Sequence, residues 1–155
     1  MTISELGSLG EFVGSIAVVI TLIYLTTQLR HNTRAIRAAA LQALDKSITD
    51  NMAIWGSSRE NALLLERGLQ SSDPLPHDDE THFRMLIVPF FLSMDSNFWS
   101  HRNKLLPEEL WERELTALRV WVTAPGGRRI WKTAYVSRPF REFVEAKLLK
   151  DERPA

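Results

Sequence analysis

The chain has 155 residues, 19 basic and 19 acidic, for a formal net charge of zero at pH 7, and it contains no cysteine. Phosphate binding needs a surplus of Lys and Arg, so this balance argues against nucleic acid as the main partner. Disulfides, thiolate metal sites and a Cys nucleophile are excluded, the lack of cysteine suits a cytoplasmic domain, and the length allows one apolar span plus one domain of ordinary size.

The first element is residues 12–29, FVGSIAVVITLIYLTTQL, eighteen consecutive residues without a charge between Glu11 and Arg30. At about 1.5 Å per residue, a helix of this length covers roughly 27 Å, close to the hydrocarbon thickness of a bilayer. The expected organisation is a short outer tail over 1–8, a transmembrane helix over 9–29 and a helical domain over 30–155. Thr21, Thr26, Thr27 and Gln28 make the run more polar than a pure Leu/Val span, but Ser and Thr bond back to carbonyls of their own helix and are tolerated in lipid. The competing reading is a long core helix buried in a soluble domain. The flanking charges favour the span: Glu5 and Glu11 precede it, and Arg30, His31, Arg34 and Arg37 follow at once. Basic residues near a span stay on the cytoplasmic side, which predicts a chain in the inner cell membrane with its N-terminus outside and its C-terminal domain in the cytoplasm. A cleaved signal peptide would need a positively charged start and a small-residue cleavage site after the apolar run, and neither is present. Arg30, Arg34 and Arg37 share one face; topology determination explains them, and contact with anionic lipid headgroups, at about 1 kcal/mol each, is their second reading.

Gly7, Gly10, Gly14, Ala17 and Thr21, continued by Gln28, recur at three- and four-residue steps, and Gly10 to Gly14 is a GxxxG. Small residues on one stripe let two backbones approach closely, so this face is the expected helix-helix interface, with a second copy or another membrane protein as partner. Small residues are also common in spans for no such reason.

Beyond the span, residues 32–55 contain no Pro or Gly, and Leu41, Leu44, Ile48, Met52 and Trp55 repeat at helical steps, which predicts a stalk continuous with the span. Gly56 ends it, and Ser57 with Glu60 has capping-box spacing for a short helix running to about Leu69. The loop over 71–76 holds two prolines. Asp78 and Asp79 then offer an N-cap for a helix carrying Phe83, Ile87, Phe90, Met94, Phe98 and His101, the expected core helix, with Pro89 kinking it or ending a hydrogen-bond ladder near Met85. Its uncharged run over 85–94 is too short to cross a bilayer. Pro107, Glu108 and Glu109 start another helix with Trp111, Leu115, Leu118 and Val122 on one face. Ala124, Pro125, Gly126 and Gly127 end it. A short helix with Ile130, Trp131, Ala134 and Tyr135 inward follows, and Ser137 and Pro139 open a last one that buries Phe140, Phe143, Val144 and Leu148. No segment alternates as a strand does, so the fold class is all-α, with four to five short helices packed beside the stalk.

The segments LGEFVGSIAVVITLIYLTTQLRHNTRAIRAAALQA, DSNFWSHRNKLLPEELW and PGGRRIW resemble a broad set of uncharacterised bacterial proteins of this length and layout. The resemblance implies an N-terminal span followed by a helical domain, and it transfers no catalytic or binding residue.

Candidate chemistry is sparse. His77, Asp78, Asp79, Glu80 and His82 are the densest group of metal-ligand types, and Asp78 and His82 are correctly spaced at i,i+4, but helix capping accounts for the acidic residues and there is no Glu-x-x-His. No metal or cofactor is expected. Asn97 and His101 lie four apart on the apolar face of the core helix; hydrogen bonds to a neighbouring helix end explain them, and a ligand pocket is the alternative. Gly126, Gly127, Arg128 and Arg129 lack Walker spacing, and a glycine C-cap with solvated arginines is preferred to an anion grip. Five tryptophans exceed what one small core takes. Trp99 and Trp121, off the main apolar stripes, are the expected partner contacts. The expected function is therefore a single-pass, membrane-anchored interaction protein, not an enzyme, that self-associates or serves as an accessory subunit. The alternative is a tethered ligand-binding or enzymatic domain with a pocket near Asn97 and His101.

Overall fold

A computed structural model describes residues 3–150, with the side chains of Gly7 and of residues 10–150. Among the described residues the chain is all-α, with no strand. The helices are α1 (Ile3–Gly56), α2 (Arg59–Gln70), α3 (His77–Arg102), α4 (Glu108–Thr123), α5 (Pro125–Trp131) and α6 (Arg138–Lys147). The chain divides into two compact units, one through Ala39 and one from Ala40 onward.

In the first unit, α1 is already helical at Ile3, so much of the stretch expected as a tail joins the helix. This is the one helix among the described residues long and apolar enough to cross a membrane. Its large side chains, including Phe12, Val18, Ile20, Leu22 and Leu29, lie open. Its described Ser and Thr hydroxyls are satisfied internally: Ser15 donates to the Phe12 carbonyl, Thr21 to Ala17, Thr26 to Leu22 and Thr33 to Leu29, all at 2.8–2.9 Å. Thr27 does the same to Tyr24 at 2.7 Å, and Gln28 Nε2 donates to the Tyr24 hydroxyl at 2.9 Å. Because i,i+3 and i,i+4 bonds reach the helix's own carbonyls, these Ser and Thr hydroxyls need no water as acceptor.

The second unit is built around α3. Phe83, Leu86, Ile87, Phe90, Phe91, Met94 and Phe98 recur every three to four residues and are all buried. Leu44 of α1, Leu64 of α2, Trp111, Leu115, Leu118 and Val122 of α4, Ile130 and Trp131 of α5, and Phe140 and Val144 of α6 complete the core. The expected inward stripes of α3, α4 and α6 are thus the observed ones, with Phe143 packed at the margin. Pro89 does not divide α3, which is one element across it. Two side chains bond to the carbonyls around the amide that proline lacks: Ser93 Oγ donates to Pro89 O at 2.9 Å, and Trp55 Nε1 to Leu86 O at 2.9 Å.

Several local expectations need correction. Ser58, not Ser57, caps α2, accepting from the Asn61 amide, while Ser57 Oγ donates backward to Ile54 O. Asp78 and Asp79 lie in the first turn of α3 after Pro76, where their charge still favours the helix's positive end. Met52 is 64% exposed, and Asn51 takes the buried position beside it. Tyr135 is 89% exposed, because α5 ends at Trp131 and the periodicity does not extend to it.

Gly126 and Gly127 do not cap a helix end. Ala124 closes α4 and opens α5 together, and both glycines lie buried inside α5. A Cβ on Gly126 would collide with the carbonyl oxygen of Gly68, and one on Gly127 with that of Trp121. The glycines let α5 meet α2 and α4 at backbone contact. The α3–α4 turn is a Schellman motif, in which Leu105 N bonds Ser100 O and Lys104 N bonds His101 O, each at 2.9 Å. Lys104, at φ 57°, stands where glycine is usual.

Candidate functional site

Three helix segments of the second unit enclose a cleft of about 420 Å³. From α1 come Ser47, Ile48, Asn51, Met52 and Trp55; α3 supplies Phe90, Ser93 and Met94; α4 supplies Arg113, Glu114, Ala117 and Trp121. On α4, Glu114, Ala117 and Trp121 follow i, i+3, i+7 steps, a stripe adjoining the buried one through Leu115, Leu118 and Val122.

One wall is aromatic. Trp55 and Trp121 stack at 4.5 Å between ring centroids, Phe90 lies 4.7 Å from Trp121, and Trp55 Nε1 is held by the Leu86 carbonyl. The cleft's polar groups are few, and of them Asn51 and Glu114 are buried. Asn51 Nδ2 approaches Ser93 Oγ at 3.4 Å. Glu114 has a side chain only 4% exposed, and Arg113, 54% exposed, reaches its Oε1 through both Nε and Nη2 at 3.3 Å. Burial pushes the Glu114 carboxyl above the ordinary range; Arg113 pulls it back in part, and the charge of Asp45 adds to the rise.

A second, partly buried carboxylate behaves oppositely. Glu80 receives Arg129 Nη2 on Oε2 at 2.7 Å and Nε on Oε1 at 3.2 Å, and the Leu75 amide at 3.1 Å. Burial alone would raise it, but the Arg129 and Leu75 hydrogen bonds outweigh burial and hold it below its ordinary value. Arg129 also donates to Ser71 O at 2.7 Å. Arg129 is therefore not solvated as expected: the anion it grips is the protein's own, tying α5 to the start of α3.

The residues singled out from sequence are scattered. Gly10 and Gly14 have nothing near enough to touch an added Cβ, and Ala17 and Thr21 are exposed on the same helix. The side chains of Arg30, Arg34 and Arg37 are exposed. Asp79 pairs with Arg67 at 2.7 Å, and among the described residues no three His, Asp or Glu converge as a metal site would require. Asn97 and His101 do not line the cleft. Asn97 Nδ2 and His101 Nδ1 are buried without a hydrogen-bond partner among the described residues, contrary to the expected bonding to a helix end. Stacking decides the His101 orientation instead: its ring lies 5.0 Å from Trp111 at 13°, with Nε2 3.7 Å from Glu108. Trp99 is 40% exposed, donates to Ser137 Oγ and carries Arg102 over its ring. Trp121 is half-buried in the cleft wall and offers less free surface than its place off the stripe suggested.

Asn51, Ser93 and Glu114 were not among the candidates read from sequence. Only Glu114 carried a signal, an acidic residue three positions after Trp111 and inside an apolar stripe. Compared with known protein families, with curated proteins and with solved structures, the chain matches none.

Proposed function

We propose that the chain is a single-pass, membrane-anchored helical protein with a non-enzymatic interaction role. The first part of α1 lies in the inner cell membrane, its N-terminus outside and the domain in the cytoplasm. It associates with a second copy, or with a larger membrane complex, through Gly7, Gly10, Gly14, Ala17 and Thr21. The observation that supports this reading is a run of open apolar side chains whose described Ser and Thr hydroxyls bond back to their own helix, which meets the condition lipid imposes on a spanning segment. The open glycines leave room for a backbone to approach, as small-residue interfaces in membranes require.

The decisive experiment is the mass and composition of the species extracted from native membranes in mild detergent. A single component at a multiple of 17.8 kDa supports self-association, and a stoichiometric foreign protein supports an accessory role. Recovery of the chain in the soluble fraction without detergent refutes the anchor. Gly14→Leu is expected to lower the assembled fraction; unchanged assembly removes the glycine face as the interface. Orientation is tested on the cysteine-free background by placing one cysteine at Ser4 or at Ser57 and labelling with an impermeant maleimide. Labelling of the Ser57 site alone in intact cells reverses the proposed topology.

A second reading, a small-ligand domain on the same anchor, is favoured by one observation, the cleft lined by Glu114.

A further inference from the structure

The chain treats the partly buried Glu80 and the buried Glu114 differently. Glu80 is matched on both oxygens by the fork of Arg129, itself largely buried, at 2.7 Å on Oε2 and 3.2 Å on Oε1. Glu114 is more deeply buried, yet its counter-charge reaches a single oxygen at 3.3 Å from an arginine that is more than half exposed. No hydrogen bond among the described residues reaches Oε2 of Glu114. Oε2 is not among the fully enclosed side-chain atoms that lack a partner, so it keeps contact with solvent; an ionised carboxylate so largely withdrawn from water and only partly compensated is still costly, and a core position on α4 would accept an apolar residue instead. Its surroundings fit an organic cation: Trp55, Trp121 and Phe90, packed on one another, line the same cleft and offer an apolar seat for the body attached to the positive charge. At about 420 Å³ the space lies near the small end of ligand pockets, too small for a folded segment. An anionic ligand would meet Glu114, and a purely apolar one would leave Glu114 and Asn51 desolvated without gain.

We infer that the cleft between α1, α3 and α4 binds a small organic cation, a primary amine on an aromatic or short alkyl body, with Glu114 as its counter-ion and Trp55, Trp121 and Phe90 as its apolar seat. This goes beyond the anchoring role and is independent of it, since every lining residue belongs to the unit from Ala40 onward.

The test is calorimetric titration of the full chain in lipid nanodiscs, with empty nanodiscs subtracted, using 2-phenylethylamine, hexylamine and 3-phenylpropionate. If the chain does not enter nanodiscs, the anchor fails and the same titration is run in solution, so the two readings fail separately. The expected result is saturable one-to-one binding of at least one amine and none of the acid. Glu114→Gln weakens the amine at least tenfold while helical content by circular dichroism is retained. Ala117→Leu, which fills the cleft and leaves the carboxylate in place, also abolishes binding. Failure of both amines to saturate, equal binding by Glu114→Gln, or equal binding of the acid overturns the inference.

Discussion

The first part of α1 and the unit from Ala40 onward are both helical and both close hydroxyls onto nearby carbonyls, as Ser47, Ser96 and Thr116 do in the second unit, but that unit adds bonds between helices. Along the N-terminal helix every described hydroxyl bond stays within four residues, while Arg84 reaches Thr133 at 2.8 Å, Asp95 receives the Ser137 amide and hydroxyl at 2.5 and 2.6 Å, and Arg141 donates to the carbonyls of Trp131 and Ala134. Local closure makes a helix independent of its surroundings. Cross-helix closure makes each helix depend on its neighbours, so that damage to one is felt by all.

The largest test of that contrast is in the core. Phe91→Ala empties a fully buried site packed on Trp131 and is expected to cost about 3–5 kcal/mol in chemical denaturation, whereas Ile20→Ala, exposed, leaves the unfolding midpoint unchanged. A midpoint that moves equally in both would erase the distinction. The glycines sharpen it next. Gly126→Ala drives a Cβ into the Gly68 carbonyl and should cost about 3 kcal/mol, while Gly14→Ala meets nothing and leaves unfolding of the domain unaffected.

Glu80 and Glu114 give a smaller test with opposite signs. Glu80 has its folded value below the ordinary 4.5, so its contribution is present above that pH and is lost as the pH falls through and below it. Glu114 has its folded value above 4.5, so its contribution is greatest below that pH and is lost as the pH rises through the raised value. Glu80→Gln should therefore destabilise at pH 7 and matter little at pH 3. Glu114→Gln should be neutral or stabilising at pH 7, with its relative benefit shrinking on acidification. Thermal unfolding of both variants across pH 3–8 checks the pair; parallel profiles would contradict it. The smallest effect is at the α3–α4 turn, where Lys104→Gly relieves a left-handed backbone and should stabilise by about 1 kcal/mol in the same assay.

Much of the architecture was legible in the residues because helix periodicity and helix stops are local signals. The stripes Phe83 to Phe98 and Trp111 to Val122, the start at Pro107 and the loop before His77 all follow from spacing and from where proline is tolerated. What escaped was set by partners distant in the chain. Whether Gly126 and Gly127 end a helix or lie inside one depends on Gly68 and Trp121 standing against them. Whether Arg129 is solvated depends on Glu80, 49 residues earlier. The cleft needs three segments from α1, α3 and α4, and only Glu114 breaks its own apolar pattern; Asn51 and Ser93 read as ordinary polar positions until the helices are assembled.

The two glycine contacts of α5 and α2 also bear on how damage to this protein can be repaired. A methyl added at Gly68 strikes the ring of Phe83, a side chain that another mutation can shorten, so Gly68→Ala should be rescued by Phe83→Leu in a suppressor screen. A methyl added at Gly126 strikes a peptide carbonyl, and no exchange of side chains removes a carbonyl. Lineages that lose Gly68 have a way back through the opposing residue, whereas those that lose Gly126 can recover only by reversion or by a shift of the helix itself.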